Sequence, residues 1–200
     1  YNNPTQELIS LFVPGDTRKE VTVGVPGGFY DADSVFHALP TSTNQTYTKK
    51  YFDSSPVRAD SKANWKVIRY ADVLLMYAEA INEVSEGTYD IPSWDGTKTH
   101  SIHRSVAEMR KGIKPVRMRA GVPDFDNNIY ADKDVFRIYL KRERQIELMG
   151  EGKRYYDIRR WKDARVEEAM PVYGCNTLMT ESDREMFHTP IAVWNLSATF

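Results

Sequence analysis

The chain has 200 residues, 41% of them hydrophobic and 12% aromatic, so it is long enough to bury a core and is not disordered in composition. Its 27 Lys and Arg residues are balanced by 28 Asp and Glu residues, which argues against nucleic acid as a partner because phosphate binding needs surplus positive charge. The single cysteine, Cys175, excludes an intrachain disulfide and a CxxC metal site.

The first 62 residues are rich in Pro, Gly, Ser, Thr and Asn and predict long ordered loops. Two short apolar runs interrupt them. The run "ELISLF" (7–12) predicts a short helical turn, and "VTVGV" (21–25) is compatible with a strand. A loop-rich opening of this length is typical of a functional surface or of a segment that packs on another part of a protein.

The centre of the chain is predicted to be helical, because apolar residues recur there at helical spacing. The predicted helices cover residues 65–85, 101–120, 132–149 and 153 to about 169. Pro115 predicts a kink or break in the second helix, and Gly150 and Gly152 allow a sharp turn between the last two. Residues 87–100 are predicted to form a polar loop that carries Tyr89 and Trp94.

These elements predict a mainly α fold of packed helical hairpins with long ordered loops and little sheet. Along the chain, the loop-rich segment covers residues 1–62, the helical body covers 63–170, and a C-terminal loop segment covers 171–200. No run of about eighteen apolar residues is present, so no transmembrane helix is predicted.

The most charged stretch is "RERQIELMGEGKRYYDIRRW" (142–161), hereafter the charged block. Carboxylates at four-residue steps, Glu143, Glu147 and Glu151, would line one helix face and are candidates for acid–base chemistry or for a structural role. The many nearby basic residues favour the structural role, since ion pairs would neutralise the acids. We expect the glutamates to reach across the glycine turn to Arg154 or Arg159. The expected brace comprises Glu143, Glu147, Glu151, Arg154, Asp157, Arg159 and Trp161.

Other motifs for cofactors and catalysis are incomplete. "GEGK" (150–153) lacks the first Gly and the Ser or Thr of a phosphate-binding loop, and no HExxH or GxSxG motif occurs. "DADS" (31–34) could donate oxygens to calcium, but the full spaced loop is absent. We therefore expect no cofactor, no metal and no catalytic residues.

Three segments resemble successive signatures in the C-terminal half of the SusD/RagB family of surface nutrient-binding lipoproteins. They are "NWKVIRYADVLLMYAEAINE" (64–83), "VRMRAGVP" (116–123) and the charged block, and their order and spacing also match. The segment "PTQELISLFVPGDTRK" (4–19) is similar to an earlier part of the family, in which an Asp and an Arg close a short helix.

The resemblance implies a tetratricopeptide-like helical fold and the C-terminal part of a longer protein. It implies a position on the extracellular face of the outer membrane, held only by an N-terminal lipid anchor that is not present in this chain. The implied partner is a SusC-like TonB-dependent transporter, which such a protein caps as a lid. The implied activity is capture of an oligosaccharide, or of a peptide in some relatives, without catalysis.

Sugars present flat apolar faces edged by hydroxyl groups, so a binding site needs exposed aromatic rings beside polar side chains. Two stretches, "GGFYDAD" (27–33) and "YDIPSWDG" (89–96), combine these features, and Trp94 is the strongest single candidate. The candidate residues are Phe29, Tyr30, Asp31, Asp33, Tyr89 and Trp94. The alternative is that each aromatic ring packs its own loop onto the helical body.

Two other functions remain open from the sequence. A peptide-binding relative on the same scaffold would present a narrow cleft lined by backbone donors. A glycoside hydrolase would need two carboxylates that flank one bond. Aromatic residues in loops without such a pair favour glycan binding.

Overall fold

The computed structural model describes residues 4–24, 27–30, 34–38, 47–51, 66–167, 169, 172–174 and 191–194. Within these residues the helices are α1 (Gln6–Ser10), α2 (Thr17–Thr22), α3 (Tyr70–Glu83), α4 (Val106–Arg119), α5 (Asn127–Ala131), α6 (Lys133–Glu147), α7 (Lys153–Arg160) and α8 (Ala164–Glu167). The strands are β1 (Val23–Gly24), β2 (Phe29–Tyr30), β3 (Phe36–His37), β4 (Tyr47–Thr48), β5 (Tyr89–Pro92), β6 (Thr99–Ile102), β7 (Val172–Gly174) and β8 (Ile191–Trp194). The predicted mainly helical fold with little sheet is confirmed.

The chain divides into two compact units. The helical unit comprises Leu11–Arg18 and Asn64–Met149, and the mixed unit comprises Tyr1–Ser10, Lys19–Ala63 and Gly150–Phe200.

The core of the helical unit lies where α3 packs against α4 and α6. On α3, Ala71, Leu75 and Ala78 follow one another at helical spacing, and this face is buried against residues of the two other helices. Gly112 of α4 lies directly on α3, since a Cβ built there would be 2.3 Å from the carbonyl oxygen of Leu74. The close approach of the two helices therefore depends on a residue without a side chain.

The first predicted helix begins later than expected, at Tyr70 instead of residue 65. Arg69 has extended backbone angles (φ −119°, ψ 154°), and the apolar side chains of Val67 and Ile68 before it are exposed. Val67 and Ile68 therefore do not belong to a buried helix face, and the predicted start was wrong by about one turn.

The predicted polar loop at 87–100 is instead largely a hairpin of β5 and β6, so the second helix starts at Val106. Ser105 caps this helix, because its hydroxyl accepts a hydrogen bond from the backbone N–H of Glu108 at 3.3 Å. Pro115 lies inside α4 and does not end it. It is exposed, so the carbonyl group that loses its helical donor can be hydrated.

The start of α6 is where the sequence predicted it. The carboxylate of Asp132 accepts hydrogen bonds from the backbone N–H groups of Asp134 at 2.8 Å and Val135 at 2.9 Å. These bonds hold the pKa of Asp132 below its usual value, the bond from Val135 contributing most.

The mixed unit contains three of the two-stranded antiparallel sheets, β1–β4, β2–β3 and β7–β8. Of the stretch 21–25, which is compatible with a strand, Val23 and Gly24 form β1, whereas Val21 and Thr22 end α2. The predicted fourth helix is two helices, α7 and α8, separated at residues 161–163, where Lys162 has a left-handed backbone (φ 64°) that a helix cannot continue through. The predicted C-terminal loop contains β7 and β8, which pair with each other.

Candidate functional site

The most exposed candidate residue lies on the hairpin of β5 and β6 in the helical unit. The strands pair antiparallel from Tyr89 with Ile102 to Pro92 with Thr99, and the hydroxyl of Ser101 donates a 2.5 Å hydrogen bond to Asp90 across them. Almost all side chains of the hairpin are exposed, and Ile102 packs against the helical core. The hairpin is therefore an arm anchored at its base.

The turn that joins the two strands is held by its own side chains. The carboxylate of Asp95 accepts hydrogen bonds from the hydroxyl groups of Ser93 at 2.6 Å and Thr97 at 2.9 Å, and from the backbone N–H of Thr97 at 3.1 Å. The bond from Ser93 contributes most to holding the pKa of Asp95 below its usual value. Gly96 adopts a left-handed backbone, φ +68°, which closes the turn. Such a turn loses little entropy when a ligand binds it.

Trp94 stands in this turn with 98% of its surface exposed. Exposure of an indole ring to water is unfavourable, because its large apolar area gains free energy when it is buried against a partner. The alternative that Trp94 packs its loop onto the helical body is excluded by this exposure. Tyr89 is five residues away on extended chain, about 17 Å, so the two rings do not form one platform.

A second aromatic surface lies in the mixed unit on β2 and β3. Tyr30 pairs with Phe36 across the strands, and their ring centroids are 5.1 Å apart. Both rings are exposed, Tyr30 by 68% and Phe36 by 51%. Phe36 was not among the predicted residues, because only the strand pairing brings it beside Tyr30.

Phe29 points to the opposite face of β2, as alternate residues of a strand do. Its ring lies 5.4 Å from that of His37, and the ammonium group of Lys49 lies 4.4 Å from its centroid. Phe29 is half-buried in these contacts. Asp31 and Asp33 lie outside the described residues, so their predicted role stays a prediction.

The carboxylates of the charged block on α6 are buried and ion-paired. Glu143, with a side chain 2% exposed, accepts hydrogen bonds from Arg18 at 2.6 Å and Arg117 at 2.7 Å. Glu147 is bound by three guanidinium groups, at 3.1 Å from Arg18, 3.0 Å from Arg69 and 2.6 Å from Arg119. Burial would raise the pKa of Glu147, but the bonds and charges of the arginines, Arg119 foremost, hold it below its usual value.

Arg18 is the centre of this network. Its guanidinium group also binds Asp16 at 2.7 Å, so it contacts three carboxylates. Burial would lower the pKa of Arg18, but the hydrogen bonds that it donates to Asp16 and the charge of Glu143 raise the pKa overall. Glu143 and Glu147 are thus matched to fixed cations, which is the environment of structural charges.

Arg154, one of the two partners expected for the glutamates across the glycine turn, binds Glu167 at 2.6 Å. Asp157 binds Arg160 at 2.7 Å, a pair three residues apart of the kind that sequence spacing predicts. Glu151, in the mixed unit, is bound by Lys50 at 2.5 Å. The guanidinium groups of Arg154 and Arg160 lie over the half-buried ring of Trp161, at 6.0 and 4.6 Å. Arg159 lies 3.6 Å from the ring of Tyr155 and donates to its backbone carbonyl.

The charged residues of the sequence signatures meet in the helical unit. Asp16 precedes α2 and Arg18 lies in its first turn, and Arg69 precedes α3. The end of α4 supplies Arg117 and Arg119, and α6 supplies Glu143 and Glu147. A further buried pair joins Asp72 of α3 to Arg144 of α6 at 3.0 Å. The signatures therefore encode a buried network that ties these elements together.

Among the residues that the structure describes, no group of three His, Cys, Asp or Glu side chains is arranged to hold a metal ion. Nor does any helix in the described part of the chain have the length and apolar character needed to span a membrane.

Comparison with known sequences places these features in a family. The profile of the SusD family matches residues 5–191. SusD-like protein P2 of Formosa agariphila is 30% identical over 128 residues, covering 60% of this chain and 22% of that protein. SusD-like protein P38 of the same organism is 28% identical over 173 residues, covering 86% of this chain and 29% of that protein. The chain thus spans less than a third of the length of these relatives.

Solved structures share the fold. A SusD-like carbohydrate binding protein from Bacteroides fragilis superposes with a TM-score of 0.62 at 22% identity, over 91% of this chain and 40% of that one. A SusD superfamily protein from Bacteroides vulgatus gives a TM-score of 0.54 at 25% identity, over 80% and 33%. With the profile match over nearly the whole sequence, these results establish that the chain belongs to the SusD family.

Proposed function

We infer that this chain is part of a cell-surface protein that binds oligosaccharides without cleaving them. The observation that carries the proposal is Trp94, an almost fully exposed indole in a turn fixed by Asp95. A flat apolar ring stacks on the C–H face of a sugar, and polar side chains of the same turn are proposed to bind its hydroxyl groups. Membership of the SusD family supports this reading.

Tyr30 and Phe36 form the second contact surface in the proposal. Two adjacent exposed rings present a larger apolar face than one, and exposed aromatic rings cost less entropy to order than long flexible side chains. Because they lie in the mixed unit, their contribution to glycan binding is tested separately from that of Trp94. Asp31 and Asp33, which follow Tyr30 in the sequence, are proposed to supply hydrogen-bond acceptors for the sugar.

The carboxylates of the charged block take no part in the proposed activity. Each of Glu143 and Glu147 is bound by at least two guanidinium groups, so neither is poised to donate a proton to a glycosidic oxygen. The protein is therefore proposed to deliver its ligand intact to a SusC-like TonB-dependent transporter in the outer membrane. The proposed location is the extracellular face.

The test is an array of glycans and peptides probed with the full-length protein, followed by calorimetry on each ligand that binds. We expect oligosaccharides to bind and to be recovered intact after long incubation. Release of shorter sugars would contradict the absence of catalysis, and binding of peptides alone would replace the glycan proposal by the peptide-binding alternative.

A further inference from the structure

A cleft of about 690 Å³ lies in the helical unit at the base of the Trp94 hairpin. Its wall includes Thr88, which precedes β5, and His103, which follows β6. The volume is within the range of pockets that hold small ligands, about 300–1,000 Å³. Along the extended strand, six residues or about 20 Å separate Thr88 from Trp94, so a chain-like ligand on the hairpin can reach both.

Two cations line this cleft, Arg104 and Lys133. The guanidinium group of Arg104 donates only to neutral oxygens, namely Oδ1 of Asn82 at 3.1 Å and the carbonyl groups of Tyr130 at 2.9 Å and Ala131 at 3.4 Å. Within the described residues it has no carboxylate in ion-pair contact. A guanidinium group that is held in place without a carboxylate partner can donate hydrogen bonds to a bound anion.

One buried side chain, Asn82, contacts the guanidinium group of Arg104 and the backbone of Lys133. Asn82 accepts from Arg104 through Oδ1 and donates through Nδ2 to the carbonyl group of Lys133 at 3.0 Å. The ammonium group of Lys133 donates to the backbone carbonyl of Glu83 at 3.4 Å and lies 3.8 Å from the carboxylate of Glu83, which is already bound twice by Arg137 at 2.7 Å. Lys133 therefore keeps donor capacity for a ligand in the cleft.

Of the nearby acids, Glu83 lies at the limit of ion-pair distance from Lys133, and no described carboxylate is in ion-pair contact with Arg104. The carboxylate of Asp132, which feels the charge of Arg104, is engaged by two backbone N–H groups at the start of α6. Glu86 also lines the cleft, and it is exposed and would repel an anionic ligand. The cleft thus contains an attractive pair and one opposing charge, and each can be removed separately.

We propose that this cleft binds the anionic group of an acidic oligosaccharide, a uronate carboxylate or a sulfate ester, with Arg104 and Lys133 as its ligands. The inference rests on the proposed glycan binding and narrows its substrate class. If Arg104 only capped the end of α5, its bonds to the carbonyl groups there would be explained. Capping alone would not make acidic ligands bind more tightly than neutral ones.

The test compares oligogalacturonate with its fully methyl-esterified form by calorimetry on the full-length protein, and a sulfated galactan oligosaccharide with its desulfated form. We expect at least one acidic ligand to bind about tenfold more tightly than its neutral counterpart, with a preference that weakens as salt is raised. The pair that shows the preference identifies the source of the charge.

Three variants separate the cleft from general charge effects. Glu86→Gln should tighten acidic binding about threefold, Lys133→Gln should weaken it about threefold, and Lys114→Gln, an exposed lysine on α4, should leave it unchanged. The neutral ligands should not respond to any of the three. A fourth variant, Arg104→Gln, removes the other cation of the cleft. If it fails to fold, Glu86→Gln and Lys133→Gln still test the cleft.

Equal affinity for charged and neutral ligands would overturn the inference while leaving glycan binding intact. The inference would also be overturned if acidic ligands bind more tightly than neutral ones but neither Glu86→Gln nor Lys133→Gln changes their affinity, since the anion would then bind elsewhere. If no oligosaccharide binds at all, the proposed function fails and this inference fails with it.

Discussion

The substitution Glu143→Gln probes the buried ion-pair network on α6. It keeps the size of the side chain but removes the charge that Arg18 and Arg117 bind at 2.6 and 2.7 Å. Arg18 retains Asp16 and Glu147, whereas Arg117 keeps only the carbonyl group of Pro123 and the ring of Phe125 among its described partners. The main cost is therefore the uncompensated charge of Arg117, whose side chain is 12% exposed.

The magnitude follows from the burial of both partners. Breaking a buried pair by removing one member typically costs about 3–5 kcal/mol, and the remaining amide oxygen of Gln places the expected loss near the lower end, about 3 kcal/mol. For a chain of this size, that corresponds to a fall in melting temperature of about 6–12 °C. The assay is urea unfolding followed by circular dichroism, with thermal unfolding as a second readout.

Asp134→Asn is the matched control. Asp134 lies on the same helix and is also paired with an arginine, Arg137, but its side chain is 84% exposed. Its loss should cost below about 1 kcal/mol. If Glu143→Gln costs no more than Asp134→Asn, the network does not stabilise the fold and the reasoning from burial is refuted.

Substitutions elsewhere in the described residues should also change stability. Gly112→Ala should destabilise the protein by about 1–3 kcal/mol in urea unfolding, because its Cβ would lie 2.3 Å from the carbonyl oxygen of Leu74, and an unchanged midpoint would contradict this close helix contact. The pKa of Glu147 is lowered in the folded state, so its contribution to stability is complete above its unfolded pKa of about 4.3 and is lost as the pH falls through the folded pKa. The difference in unfolding free energy between the native chain and Glu147→Gln should therefore shrink below about pH 4. A difference that stays constant with pH would disprove the assignment. Trp161→Ala should lower the melting temperature, since the ring packs under Arg154 and Arg160, whereas Trp94→Ala should leave it unchanged; equal effects would contradict the different exposures of the two rings.

The helices could be predicted where a buried face and a cap coincide. On α6, Asp132 caps a stretch whose apolar residues Phe136 and Leu140 are fully buried, and periodicity and capping point to the same start. On α3, the exposed Val67 and Ile68 extend the apolar pattern beyond the helix, so periodicity alone placed the start too early. The pattern identifies the element, but burial decides its end.

The hairpin of β5 and β6 could not be predicted from alternation. Its side chains are exposed on both faces, so the two-residue period that marks a half-buried strand is absent. Exposure of Trp94 was expected from its polar neighbours, but the hydrogen bonds of Asp95 that fix the turn depend on the backbone conformation.

The partners of the charged block also escaped prediction, for a different reason. Sequence spacing identifies pairs three or four residues apart, as between Asp157 and Arg160, but Arg18 and Glu143 are 125 residues apart. Burial of the glutamates follows from their place beside apolar residues. Which cations neutralise them is decided by how the segment that ends at Arg18 packs with α4 and α6 in the helical unit.

The measurement that tests glycan binding most directly is calorimetric titration of an array-identified oligosaccharide into the full-length protein and into its Trp94→Ala and Trp94→Phe variants. We expect Trp94→Ala to weaken binding at least about tenfold and Trp94→Phe to weaken it less, because an aromatic face remains. Neither variant should change the melting temperature. Unchanged affinity in Trp94→Ala would contradict the assignment of the exposed indole as the glycan contact.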